Sequence, residues 1–140
     1  MAATTDLLFP WDDTYLVRIG IIDKQHRTLI NFLNEFHGAA IQGHSDEQID
    51  GILSKFVQYG RVHIKLEETL MERHQYPDYA IHKGEHDSLA HAVLDLRSRF
   101  RRNEIGLTIE VMHFLKDWLA EHILRADKKY ATYLNAKGVR

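Results

Sequence analysis

The stretch HIKLEETLMERHQYPDYAIHKGEH, residues 63–86, sets a pair of metal-ligand side chains on either side of a sharp link. His63 and Glu67 precede the link, and His82 and His86 follow it. A third pair, His122 with Asp127, lies toward the C-terminus, and His26 stands upstream by itself. Members of a pair are four or five residues apart, and a helix of about 3.6 residues per turn projects such side chains from nearly one face. Neutral imidazole and carboxylate suit iron, manganese or zinc, and the chain has no cysteine to draw softer metals.

Working outward, His26 and His63 are 37 residues apart and His86 and His122 are 36 apart. Turn signals near His44 and Glu104 fall close to the middle of each gap. If each gap is a helical hairpin, its two histidines return to the same height on opposite arms. The chain then reads as two hairpins in pseudo-repeat, joined at Gln75, Tyr76 and Pro77. The expected fold is all-α: an up-down-up-down antiparallel four-helix bundle, with an extended N-terminal arm and a short C-terminal helical turn. All seven residues gather at one end of it, which implies a buried two-metal site.

At 140 residues the chain is the size of one domain. Residues 1–20, with Pro10, Trp11 and Gly20, carry no helical period and read as an arm that packs Leu8, Phe9 and Trp11 on the bundle. Apolar residues at three- and four-residue steps then predict helices at about 22–42, 46–75, 78–102 and 107–126, followed by a turn over 127–134. Asp23 is the expected N-cap of the first helix. Ser45-Asp46-Glu47-Gln48 matches the capping box for the second. Gly60 falls inside that helix at a cost of about 1 kcal/mol relative to alanine. Pro77 suits the opening of the third helix, and the arginines at its end, Arg97 to Arg102, read as a solvated terminus that complements the helix dipole.

Composition removes several classes of function. A formal charge of -2 with no basic stripe gives no electrostatic case for nucleic acid or an anionic membrane. Zero cysteines exclude disulfides, thiolate sites and cysteine catalysis. No apolar run reaches the length of a membrane span and MAATTDLLFPW is no secretory signal, so the expected location is cytoplasmic. Ten histidines in 140 residues is the one compositional anomaly.

For any single histidine the alternative is a hydrogen-bonded core imidazole, and one H-x-x-x-H is weak evidence. Three pairs and a fourth position at one bundle level are a different matter, because burying five imidazoles and two carboxylates without a partner strands many polar groups. His91 and His113 lie nine residues from proposed ligands and should point outward, while His44 sits at a turn. His37 and His74 are each eleven residues from a ligand, about 16 Å along the axis, which is too far to share its ions. Glu68, rotated about 100° from Glu67, reads as an outer or surface group. Glu110-x-x-His113 matches the ligand motif of ferritin-like carboxylate proteins, but one copy where that architecture uses two is read as chance.

The set Gly20-Ile-Ile-Asp-Lys-Gln-His26, His63-x-x-x-Glu67-Glu68, Tyr76, His82-x-x-x-His86 and Trp118-Leu-x-x-His122-Ile-x-x-x-Asp127-x-x-Tyr130 resembles the hemerythrin family in its single-domain bacterial form. The likeness runs from about Trp11 to Tyr130. It implies two non-haem iron ions with a bridging oxo or hydroxo group, binding O2 reversibly. Carried over position by position, His82, His86 and His122 would complete one iron, His26 and His63 would serve the other, and Glu67 and Asp127 would bridge them. The two-histidine iron would keep the open position. Leu29, Ile64 and Trp118 match the family's apolar O2 pocket, with core packing as their alternative role. The family often carries Phe where this chain has Ile64, so the resemblance does not fix pocket volume or O2 affinity.

The resemblance therefore implies O2 storage, delivery or sensing and no enzymatic activity, with an oxygen-consuming enzyme or a signalling protein as partner. Five imidazoles with two carboxylates suit reversible binding better than the carboxylate-rich sites that stabilise high-valent iron. The alternatives are a di-iron peroxidase, oxidase or nitric-oxide-handling enzyme, a metal-regulated signalling module, and a metal-free interaction bundle.

Overall fold

The Gln48 backbone N–H donates to the Ser45 hydroxyl and the Ser45 N–H donates to the Gln48 side chain, so the capping box opens α2, Asp46–Arg73, as its sequence requires. In the computed structural model, which describes residues 7–104, 106 and 109–140, α2 is flanked by α1 (Gly20–Ile41) and α3 (Tyr79–Arg101). A fourth helix, α4 (Ile109–His122), passes through a π-helical turn at Ile123–Asp127 into α5, Lys128–Ala136. The result is an all-α four-helix bundle, with no strand among the described residues.

Helix ends follow one pattern. After α1, α2, α3 and α5 a single residue takes a left-handed φ, at Gly43, Gln75, Asn103 and Gly138. The two amides that follow each helix then bond back to its last turn, as in Tyr76 N–H to Met71 O at 2.9 Å and Gln75 N–H to Glu72 O at 3.1 Å. This closure makes the link at Gln75 to Asp78 tight, and it stops α2 at Arg73 where the periodicity had carried the helix to 75. The Tyr133 hydroxyl of α5 donates to His74 O at 2.7 Å and fastens the link to the far end of the chain.

Residues 1–6 of the expected arm lie outside the described residues, and the rest of the arm is tied down residue by residue. Phe9 is fully buried, and its backbone exchanges two hydrogen bonds with the Asn34 amide, at 2.8 and 2.9 Å. Burying one such ring contributes roughly 1.5–3 kcal/mol. Leu8 is buried too, and half-buried Trp11 packs under the Arg27 guanidinium. Two expectations need correction here. The arm is not wholly extended, because Asp12 caps a single 3-10 turn at Asp13–Tyr15. Nor does Asp23 cap α1, which begins at Gly20 after Ile19; its carboxylate instead accepts from the backbone N–H groups of Val17 and Arg18, at 2.7 and 3.1 Å. Asp23 thus anchors the arm where it turns into the helix.

At the other terminus the expected turn over 127–134 is a nine-residue helix, continuous with α4 through the π-turn. The expected start of the fourth helix, near 107, lies outside the described residues. Buried side chains form a larger cluster around Ile22, Met71, Leu119 and Tyr130 and a smaller one around Phe36, Leu53, Phe100 and Met112. No helix among the described residues is long and apolar enough to cross a membrane.

Candidate metal centre

Each of the four long helices sends ligand-type side chains to one level. α1 supplies His26, α2 supplies His63 and Glu67, α3 supplies His82 and His86, α4 ends on His122, and the π-turn ends on Asp127. All seven are buried, none more than 5% exposed. Their donor atoms form two groups: His26, His63, Glu67 and Asp127 in one, and Glu67, His82, His86, His122 and Asp127 in the other. Both groups share the two carboxylates.

Asp127 spans the groups with its two oxygens, Oδ2 at 3.1 Å from His26 Nε2 and Oδ1 at 3.0 and 3.1 Å from Nε2 of His82 and His122. Glu67 Oε1 lies 2.9 Å from His63 Nε2 and 3.3 Å from His86 Nε2. Its Oε2 accepts a hydrogen bond from the buried Tyr130 hydroxyl.

The fifth-residue spacing of His122 and Asp127 works differently from what the sequence suggested. In a regular α-helix, residues five apart point roughly 140° away from each other, not along one face. The π-turn, bonded i to i+5, takes up the extra residue and returns Asp127 to the side of His122. A local departure from α geometry therefore sits at the ligand that both groups need.

The donors present fit a pair of divalent cations. Both oxygens of Asp127, Nε2 of His26, His82 and His122, and Nδ1 of His26 and His122 are buried with no hydrogen-bond partner, although several approach each other to about 3 Å. Close but misaligned, the Nε2 atoms and the Asp127 oxygens face a shared space more than they face one another. Each buried polar group left unsatisfied costs about 1–3 kcal/mol, and coordination would remove that cost.

Charge leads to the same place. Burial and the neighbouring Asp127 would push the Glu67 carboxyl up, but His63 and His86 outweigh them and hold it below the ordinary carboxylate range. Burial opposes ionisation of Asp127 as well, and His122, His26 and His82 hold it well below the usual value. In return, burial would lower His86 and His26, yet Glu67 and Glu68 lift the first to about 9, and Asp127 and Glu67 raise the second. Two ionised carboxylates in the core demand positive charge, met by protonated imidazoles or by metal ions.

Two polar residues orient imidazoles from behind by hydrogen bonds, and a third lies close behind His122. His63 Nδ1–H donates to Gln25 Oε1 at 2.7 Å and His86 Nδ1–H to Glu68 Oε2 at 3.0 Å, which turns Nε2 of each ring toward the centre. The Glu85 carboxylate lies 3.3 Å from His122 Nδ1 and also accepts from Arg125 at 2.7 Å. Sequence reasoning placed Glu68 as an outer or surface group, quoted Gln25 within the Gly20 to His26 motif without giving it a role, and passed over Glu85. Neither lies on the spacing pattern of the ligands, although Gln25 is adjacent to His26 and Glu85 to His86. Burial of Tyr130 and the nearby carboxylates push its hydroxyl well above the ordinary value, which keeps it a proton donor to Glu67.

Of the other histidines, His44, His91 and His113 are exposed, while His37 and His74 are half-buried and belong to neither group. Leu29, Ile64 and Trp118 line a part-open cavity of about 70 Å³ that reaches His63, Glu67, His86, His122 and Asp127. The Trp118 ring stacks on His122, with centroids 4.8 Å apart. Apart from the metal-centre side chains and Arg61, the residues of this lining are Gly60 and apolar side chains.

The family model described as the Hemerythrin HHE cation binding domain matches residues 17–134. A bacteriohemerythrin of Methylococcus capsulatus is 36% identical over 118 residues, covering 84% of this chain and 89% of the relative. One from Stenotrophomonas maltophilia is 33% identical over 129 residues, 92% of this chain and 83% of the relative. Among solved structures, a wild-type hemerythrin crystal structure superposes with a TM-score of 0.84 at 33% identity, over 89% of this chain and 96% of its own.

Proposed function

The chain belongs to the hemerythrin family, and from that premise we propose that it binds O2 reversibly at a pair of non-haem irons, for storage, delivery or sensing of oxygen. The two groups of buried donors that share Glu67 and Asp127 are the observation that carries this reading. His82, His86 and His122 would hold one iron and His26 and His63 the other, with Glu67 and Asp127 shared between them. When bound, the two irons supply electrons that O2 accepts on binding and returns on release.

The protein's own contribution is orientation and exclusion. Gln25 and Glu68 hold the His63 and His86 rings with Nε2 facing inward, and Glu85 lies behind His122 Nδ1. Tyr130 pins one oxygen of Glu67 and leaves the other for the centre. Leu29, Ile64 and Trp118 wall the approach with carbon, which favours a small uncharged ligand and keeps water and anions from the centre. The group of His26 and His63 has one imidazole fewer than the other and would leave more room for O2.

The reading is tested by mixing anaerobic, iron-loaded protein with O2 in a stopped-flow spectrometer. Reversible binding predicts an oxygenated spectrum that decays slowly and reverts under vacuum. Rapid conversion to a ferric form with released peroxide would instead indicate an oxidase.

A further inference from the structure

Gly60 occupies the inner stripe of α2, three residues after buried Val57 and three before buried His63. A helix interior disfavours glycine relative to alanine, so its presence on a packing face needs a cause. Close packing is not the cause, because a Cβ built at Gly60 meets no heavy atom within 4 Å. Position 60 borders open space, and that space is the apolar cavity, whose lining includes Gly60. The lining of the cavity includes half-buried Gly60 and exposed Arg61 as well as His63, Glu67 and His86, and half-buried Ala90 of α3, another small residue, contributes to its wall. Its volume of about 70 Å³ exceeds the roughly 10–15 Å³ that a single water needs.

We propose that Gly60 is the aperture of this protein's metal centre: the missing side chain keeps a carbon-lined passage between α2 and α3 open to a small uncharged ligand. The inference rests on the O2-binding reading for the ligand's identity, but the passage itself is defined by Gly60 and the cavity. A Cβ at position 60 meets no ligand residue within 4 Å, so a side chain added there narrows the passage, slows entry and exit alike and leaves affinity alone.

Gly60→Leu tests this in the iron-loaded protein. Association and dissociation rates for O2 should both fall about tenfold, with their ratio and the visible spectrum unchanged, as for a gate remote from the bound state. Unchanged rates, or a change in dissociation alone, would overturn the aperture. In parallel, xenon-pressurised crystals of the metal-loaded protein should show xenon beside Ile64 and Gly60, and Gly60→Leu should displace it. Xenon at equal occupancy in both would also overturn the proposal. If the protein fails to bind O2 at all, the functional reading falls while the xenon comparison still decides the passage. Should Gly60→Leu fold poorly, Gly60→Ala takes its place, with a smaller slowing of both rates and the same criterion.

Discussion

His63 and Glu67 stand four residues apart on an unbroken α-helix and close to 2.9 Å, whereas His122 and Asp127 stand five apart across a π-turn and close to 3.1 Å. The same contact is reached by two backbone routes. On α2 regular geometry does the work, since four residues return nearly to one face. On the C-terminal helix the chain gives up α-helical bonding for one turn so that Asp127 can place an oxygen in each donor group. The departure from regularity is local because the residues on either side, α4 and α5, keep their packed faces: Leu119 before it and Tyr130 after it are both buried. Ligand geometry, not helix propensity, sets the backbone at this point.

The largest expected effect separates shared donors from unshared ones. Asp127→Ala removes an oxygen from both groups and should leave the protein without metal. His63→Ala removes a donor from one group and should retain about one ion per chain, as metal analysis by mass spectrometry would show. Equal losses from both substitutions would mean that the groups are not arranged as two sites around shared carboxylates.

Changing the register attacks the contrast between the two helices directly. Deleting exposed Leu124 removes the extra residue of the π-turn, gives His122 and Asp127 an α-helical spacing of four, and should preserve both ions and the buried face of α5. Inserting one alanine between Lys65 and Leu66 rotates Glu67 by about 100° on a regular helix and should abolish metal binding. Full metal content after the insertion would show that α2 adapts as readily as the C-terminal helix, and the distinction would disappear.

Smaller effects follow from the residues behind the ligands. Gln25→Ala and Glu85→Ala should each weaken metal affinity by about 10- to 100-fold, read by competition with a chromogenic chelator. At the opposite end of the bundle, Ser45→Ala removes the α2 cap and should cost about 1 kcal/mol, roughly 4 °C in Tm, with metal content unchanged.

How much the amino-acid sequence disclosed follows from which signals are periodic. Four helices were legible because apolar residues recur at three- and four-residue steps and because Ser45 and Gln48 announce a start. The positions of the seven donors were legible because their spacings map hairpin arms onto one level. Asp127 lies beside the other six side chains, but its spacing alone does not explain this: a spacing of five does not share an α-helical face, and no local residue signals a π-turn. Gln25 and Glu85 were missed because their roles arise across helices, Gln25 on α1 serving His63 on α2 and Glu85 on α3 serving His122 on α4. Asp23 looked like a cap because it is acidic and near a helix start, but its partners are backbone amides of the preceding arm. The early stop of α2 was hidden because Gln75, not glycine, takes the left-handed turn.

Native mass spectrometry of protein reconstituted anaerobically with ferrous iron tests the central claim most directly. Two irons bound to each polypeptide is the predicted result. A single iron, or none, would contradict a paired centre built on Glu67 and Asp127.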